Sequence, residues 1–110
     1  MTTGTEALDA WQETFNTKDG APLRAVMSPD LVVIDTYGDR ETLDEAMAWA
    51  TTMDFSIGDY VIHHEDETCC CGTHSVTLDG VDYGSVCFFA RKTEAGIDMW
   101  KIHRAPPQDS

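Results

Sequence analysis

The hydrophobic positions of the chain change period near its middle. Leu8, Trp11 and Phe15 recur at i, i+3 and i+7 with Ala7 alongside, the spacing of one apolar helical stripe. Thr3 and Glu6 form a capping-box pattern just ahead of it, and the stripe runs out near Asn16. Asp19-Gly20 breaks the chain. Pro22 suits the first turn of a short second helix, with Leu23, Val26 and Met27 on one face. Ser28-Pro29-Asp30 ends that helix. Leu31 to Tyr37 is rich in β-branched residues, is bounded by Pro29 and Gly38, and reads as a strand. Thr42 and Glu45 then open a third helix, whose stripe is Leu43, Ala46, Met47, Ala50 and Met53, with Trp49 at its edge.

Beyond Met53 the pattern becomes that of an antiparallel meander. Strands are predicted at Phe55 to His63, Thr68 to Leu78, Tyr83 to Lys92 and Ile97 to Arg104, with Gly58 marking a bulge in the first. His64 to Glu67 is a polar turn, Asp79-Gly80 a hairpin signal, and Thr93 to Gly96 a third turn. Pro106-Pro107 ends the pattern. Helices first and strands later make an α+β arrangement. Alternation puts Cys70, Gly72, His74 and Val76 on one face of their strand, and Cys69, Cys71, Thr73 and Ser75 on the other. Val86, Phe88 and Ala90 alternate with Cys87 and Phe89, and Met99 with Trp100 and Ile102. A sheet apolar on both faces needs a second cover.

A length of 110 residues fits one domain with one modest core and room for one small-molecule pocket. No apolar run approaches the ~20 residues of a bilayer span. Met1-Thr2-Thr3-Gly4 has neither the basic nor the apolar region of a secretory signal, so a cytoplasmic location is expected. Twenty acidic against seven basic residues give a net charge of −13. That excludes nucleic acid and anionic membranes as partners, because phosphate backbones need clustered cations. The acid is spread along the chain and serves solubility. Of the four cysteines, Cys69, Cys70 and Cys71 are consecutive, which does not suit a disulfide framework. Reduced thiols are expected, behaving as small hydrophobes where buried.

The stretches AWQETFNTKDGAPLRAVMSPDLVVIDTYG (residues 10–38) and HHEDETCCCGTHSVTLDG (residues 63–80) resemble SnoaL-like and ketosteroid-isomerase-like proteins of the nuclear transport factor 2-like superfamily. In that family a first helix ends in an Asn-x-x-Asp turn. A short helix, a Pro-Asp pair and a strand with an interior Asp follow, and later comes an acidic hairpin before a Gly-Thr-His strand. The resemblance covers about residues 5–105. It implies a cystatin-like α+β barrel: a cone-shaped, curved antiparallel or mixed sheet wrapped around three N-terminal helices. It also implies a single SnoaL-like domain over residues 1–110 with a polar tail at 106–110, an apolar pocket, and a homodimer formed through the outer sheet face. Enzymes and non-catalytic binders share this fold.

Asp35 follows four apolar residues, Leu31 to Ile34. The resemblance implies a general base there, and a carboxylate in an apolar pocket suits that work. The bland alternative is a strand-end Asp bonded to a backbone N–H of the following turn. His74 is the second catalytic candidate, able to pair with Asp35 if its face points inward; the alternative is a sheet histidine bonded to a neighbour. The isomerase tyrosine corresponds here to Trp11 and its protonated Asp to about Cys87. Both are weak donors, so true ketosteroid isomerisation is not expected. Phe15, Trp49, Phe55, Phe89 and Trp100 join Trp11 and Cys87 as candidate pocket residues for a small apolar organic ligand. Arg91 or Arg104 is a candidate anion clamp. His63 to Glu67 are consecutive, so their side chains diverge and no metal site is expected. No cofactor is expected either. Two functions follow: cofactor-independent acid/base catalysis of the isomerase, cyclase, dehydratase or hydrolase type, or a non-catalytic binding or dimerisation module. An Asp35 tied up by backbone supports the second.

Overall fold

The computed structural model describes residues 2–104; the expected tail at 106–110 lies outside them. Helix α1 (Gly4–Thr17) is capped as its sequence predicts. The Glu6 N–H donates to Thr3 Oγ1 and the Thr3 N–H to Glu6 Oε1, each at 3.1 Å, satisfying two donors that a helix start leaves open. Its inward stripe is Ala7, Leu8, Trp11, Thr14 and Phe15. Its polar flank is stitched to a strand. Asn16 exchanges two hydrogen bonds with the Ile57 backbone, and Gln12 donates to Gly58 O at 2.9 Å. Helix α2 (Ala21–Val26) buries Leu23, and α3 (Leu43–Thr52) repeats the capping box with Thr42 and Glu45.

Among the described residues, six strands follow the order β2-β1-β6-β5-β4-β3 in one mixed sheet. They are β1 (Met27–Ile34), β2 (Arg40–Thr42), β3 (Phe55–Glu65), β4 (Cys69–Leu78), β5 (Val81–Thr93) and β6 (Gly96–Arg104). Only β1 and β6 are parallel; the rest form the predicted meander with β2 added. The sheet is open, with β2 and β3 at its edges, so the α+β class stands but the barrel is not closed. Register shifts interrupt every strand pair except β1–β2, and bulges of this kind bend a sheet. The one at Ile57/Tyr60 contains the predicted Gly58. Gly72 is forced by proximity: a Cβ there would sit 1.9 Å from Val61 O.

Three expectations need correction. Strand β1 starts at Met27, not Leu31, and takes in Pro29. The missing N–H is tolerated because β1 pairs irregularly with β6 between Met27 and Val32, and β2 reaches only residues 32–34. The same strand ends at Ile34, not Tyr37, because Asp35 closes a turn. His64 and Glu65 belong to β3, paired with Cys71 and Cys70, so the polar turn is shorter than the charge run suggested.

The core lies between the helices and one sheet face. Trp11, Trp100, Phe15, Leu8, Leu23, Ile97 and Val33 are its largest fully buried side chains. An aromatic ladder crosses it. His74 on β4 stacks on Phe88 of β5 (6.0 Å between centroids), Phe88 on Trp100 of β6 (5.5 Å), and Trp100 on Trp11 of α1 (4.4 Å). Phe15, Trp49 and Phe55 continue it edge to face. Offset stacks of this kind add to the gain from area alone.

Candidate functional site

One end of the ladder opens into a cavity of about 390 Å³, within the ~300–1,000 Å³ of small-molecule sites. Helix α1 supplies Trp11 and Phe15, and α3 supplies Trp49. Strands β3 and β4 supply Phe55, Ile57, His74, Val76 and Leu78. Val86 and Ile102 come from β5 and β6. The polar lining is Asp35, Thr36, Tyr37, Glu41, His74 and Arg104.

The period-two rule explains β4. Cys70, Gly72, His74 and Val76 are buried while their neighbours are partly exposed, as the alternation predicts. The same rule removes two candidates on β5. Val86, Phe88 and Ala90 point inward, leaving Cys87 and Phe89 exposed on the far face, where they cannot touch a molecule in this cavity. Trp100 is buried behind Trp11 rather than in the lining. Trp11, Phe15, Trp49 and Phe55 do meet there. The sequence reading missed Glu41, because a three-residue strand carries no periodic signal. Thr36 and Tyr37 were missed because they were read as strand rather than turn.

Asp35 lines the cavity from a turn. Its Oδ1 accepts the N–H groups of Tyr37 and Asp39, both at 2.9 Å. Its own carbonyl accepts the Gly38 N–H and the Lys101 ammonium. Oδ2 has no partner among the described residues. The bland alternative for Asp35 is therefore present in the geometry, alongside its place in the cavity wall. No hydrogen bond joins Asp35 to His74, so the expected dyad is not formed by direct contact.

His74 is 3% exposed. Burial pushes its pKa below the ordinary value, and a bond from the ring to Ser75 O opposes that in part. Nδ1 lies 3.2 Å from Ser75 O. A carbonyl can only accept, so Nδ1 holds the proton and Nε2 of the neutral ring is a lone-pair acceptor. Nε2 is buried without a partner, as are Trp11 Nε1 and Trp100 Nε1. Unpaired buried polar atoms are costly, and two of these three belong to side chains of the cavity wall.

Arg104 reaches the cavity and places its guanidinium 4.7 Å over the Tyr83 ring. Arg91 instead pairs with Asp98 on the surface. Trp49 Nε1 donates to Glu41, fixing both at the mouth. All four cysteines are free, and burial pushes the Cys70 thiol up to about 11, as expected of an inert strand thiol.

No family model and no curated protein matches this sequence. Solved structures do. An NTF2-like protein of unknown function from Cytophaga hutchinsonii superposes with a TM-score of 0.76 at 16% identity, over 96% of this chain and 93% of that one. A candidate polyketide cyclase from Xanthomonas campestris pv. campestris gives 0.74 at 18% identity, over 92% and 89%. An LEH-like epoxide hydrolase from M. tuberculosis gives 0.69 at 15% identity, over 90% and 76%.

Proposed function

We propose that this chain, which adopts the nuclear transport factor 2-like fold, is a single binding domain for a small, largely apolar molecule with a hydroxyl or enol group. The observation that carries this reading is the aromatic cavity of about 390 Å³ whose wall holds a neutral imidazole with an unpaired Nε2. A ligand hydroxyl would give that nitrogen a donor. A ligand carbonyl would take the unused Trp11 N–H. Apolar rings would stack on Trp11, Trp49 and Phe55. A molecule of this class is in keeping with the chemistry named for the cyclase and the epoxide hydrolase that share the fold.

Cofactor-independent proton transfer is the second reading, favoured by Asp35 and His74 lining the same cavity. Asp35 Oδ2 would take the proton and His74 would hold the substrate hydroxyl. The resulting class is isomerase, cyclase, dehydratase or hydrolase. Two further features belong to the proposal. A homodimer would cover the outer sheet face, where Phe89 and Val61 are exposed at 38% and 53%. The free cysteines support a reducing, cytoplasmic setting. No helix among the described residues is long and apolar enough to cross a membrane.

The test is a melting-temperature screen of small ketones, epoxides and aromatic polyketides, with tryptophan fluorescence as second readout. A ligand at a hundred times its Kd stabilises by about 2.7 kcal/mol, on the order of 10 °C for a domain this size. Val76→Trp, which fills the cavity, should abolish the shift. If no class shifts the wild type, or if Val76→Trp responds equally, the binding reading is wrong. For any compound that is turned over, Asp35→Asn should stop turnover and keep binding; unchanged turnover would remove the catalytic reading.

A further inference from the structure

The β3–β4 hairpin lies at the opposite end of β4 from Val76 and Leu78, and its turn brings together three different donor atoms. We infer that His64, Asp66 and Cys69 form an exchangeable zinc site, with a fourth position left for water or an outside ligand. Nε2 or Nδ1 of His64, a carboxylate oxygen of Asp66 and the sulfur of Cys69 all lie within 4.8 Å of one another. Tetrahedral zinc, at ~2.0–2.3 Å from each ligand, needs its donors roughly 3.3–3.8 Å apart. The gap closes by small rotations of side chains at a surface turn, since His64 and Asp66 are 59% and 48% exposed.

The local structure prepares the carboxylate. Asp66 Oδ1 accepts the Thr68 N–H and hydroxyl, both at 2.7 Å, and the Cys69 N–H at 3.0 Å. Oδ2 is thereby held toward His64, whose Nε2 is 3.0 Å away. Carboxylates that bind metals are commonly oriented by such outer hydrogen bonds. Neighbouring cations are engaged elsewhere. Lys92 bonds Glu65 and the Asp66 carbonyl, and Arg91 bonds Asp98. Among the described residues the side chains that bond the Asp66 carboxylate are Thr68 and His64.

Donor chemistry selects the metal. One imidazole, one carboxylate and one thiolate suit a borderline ion such as Zn2+; calcium and magnesium take oxygen ligands. On binding, the Cys69 thiol loses its proton to solvent and its sulfur bonds the metal. In the free protein the His64 ring donates from Nε2 to the Asp66 carboxylate; on binding, that proton passes to solvent while Nδ1 takes one up, and the freed Nε2 lone pair bonds the metal. The spacing His-x-Asp-x-x-Cys escapes a reading confined to His63 through Glu67, because the third ligand lies across the turn.

Cobalt(II) is the spectroscopic probe. The reduced full chain should bind one equivalent and show a thiolate-to-cobalt charge-transfer band, bleached by one equivalent of Zn2+. Cys69→Ser should remove the band and His64→Ala should weaken binding at least tenfold. Cys71→Ser and Cys87→Ser should keep both, with circular dichroism confirming that each variant is folded. Absence of a band with cobalt in large excess overturns the inference. So does a band that survives Cys69→Ser or is lost with Cys71→Ser or Cys87→Ser.

Discussion

Replacing His74 with leucine should flatten the acid side of the stability curve. In the folded protein burial lowers the pKa of this histidine, and in the unfolded chain it returns to about 6.5. Between those two values the unfolded state binds the extra proton. Stability is therefore complete above pH 6.5, erodes as pH falls toward the folded value, and levels off beneath it. With the folded ring fully neutral, the loss is about 0.4 kcal/mol at pH 6.5 and at most about 1.4 kcal/mol at pH 5.5. At roughly 4–8 °C per kcal/mol for a domain of this size, the larger figure is on the order of 5–10 °C.

The assay is thermal melting of wild type and His74→Leu at about pH 7.5, 6.5 and 5.5, spanning the ordinary histidine value. The constant offset between the two proteins reports the lost stacking on Phe88 and the lost bond to the Ser75 carbonyl. The change in that offset with pH reports His74 alone, because every other titrating group, including Asp35 and Glu41 at the cavity, is present in both. We expect the wild type to lose its lead, or fall further behind, as pH drops. Parallel curves would mean that folding does not oppose protonation of the ring. The neutral Nε2 acceptor, and the ligand hydroxyl inferred from it, would then be wrong.

Substitutions at three other positions test the frame around the site. Gly72→Ala puts a Cβ 1.9 Å from Val61 O and 3.0 Å from Ile62 Cα; main chains must separate, so urea denaturation should show at least the ~1–3 kcal/mol of overpacking, and a neutral result would refute the close β3–β4 approach. Trp100→Ala removes a fully buried ring stacked on both sides and should cost about 3–5 kcal/mol in urea midpoint analysis, a large share of the ~5–15 kcal/mol a domain has. Asp35→Asn keeps an oxygen for the Tyr37 and Asp39 N–H groups and should melt close to wild type, whereas Asp35→Ala should lose about 1–2 kcal/mol; equal losses would show that the carboxylate does not hold the turn.

Much of the fold was legible because its signals are local. Both capping boxes, the helical stripe through Trp11, the Gly58 bulge and the Asp79-Gly80 hairpin depend on residues a few positions apart. The errors arose where a distant partner decided. Pro29 reads as a boundary, yet it lies in a strand because its neighbours ask nothing of its missing N–H. Arg40 to Thr42 is a strand only because Val32 to Ile34 lies beside it. The pocket was half legible. Alternation grouped His74 with Val76, and grouped Cys87 with Phe89, but which group faces inward is a property of the folded sheet.

Order along the chain and the spacing of apolar side chains were enough to determine the helices, the meander and a shared face for Cys70, Gly72, His74 and Val76. A repeat of two or 3.6 residues is written into the sequence itself. Only the tertiary structure decided that Asp35 caps a turn while facing the cavity, that the imidazole of His74 keeps an unpaired nitrogen, and that Cys69 comes back to His64 and Asp66. Each of these is a relation between atoms brought together by strand register or a turn, and no linear period encodes the distance between them.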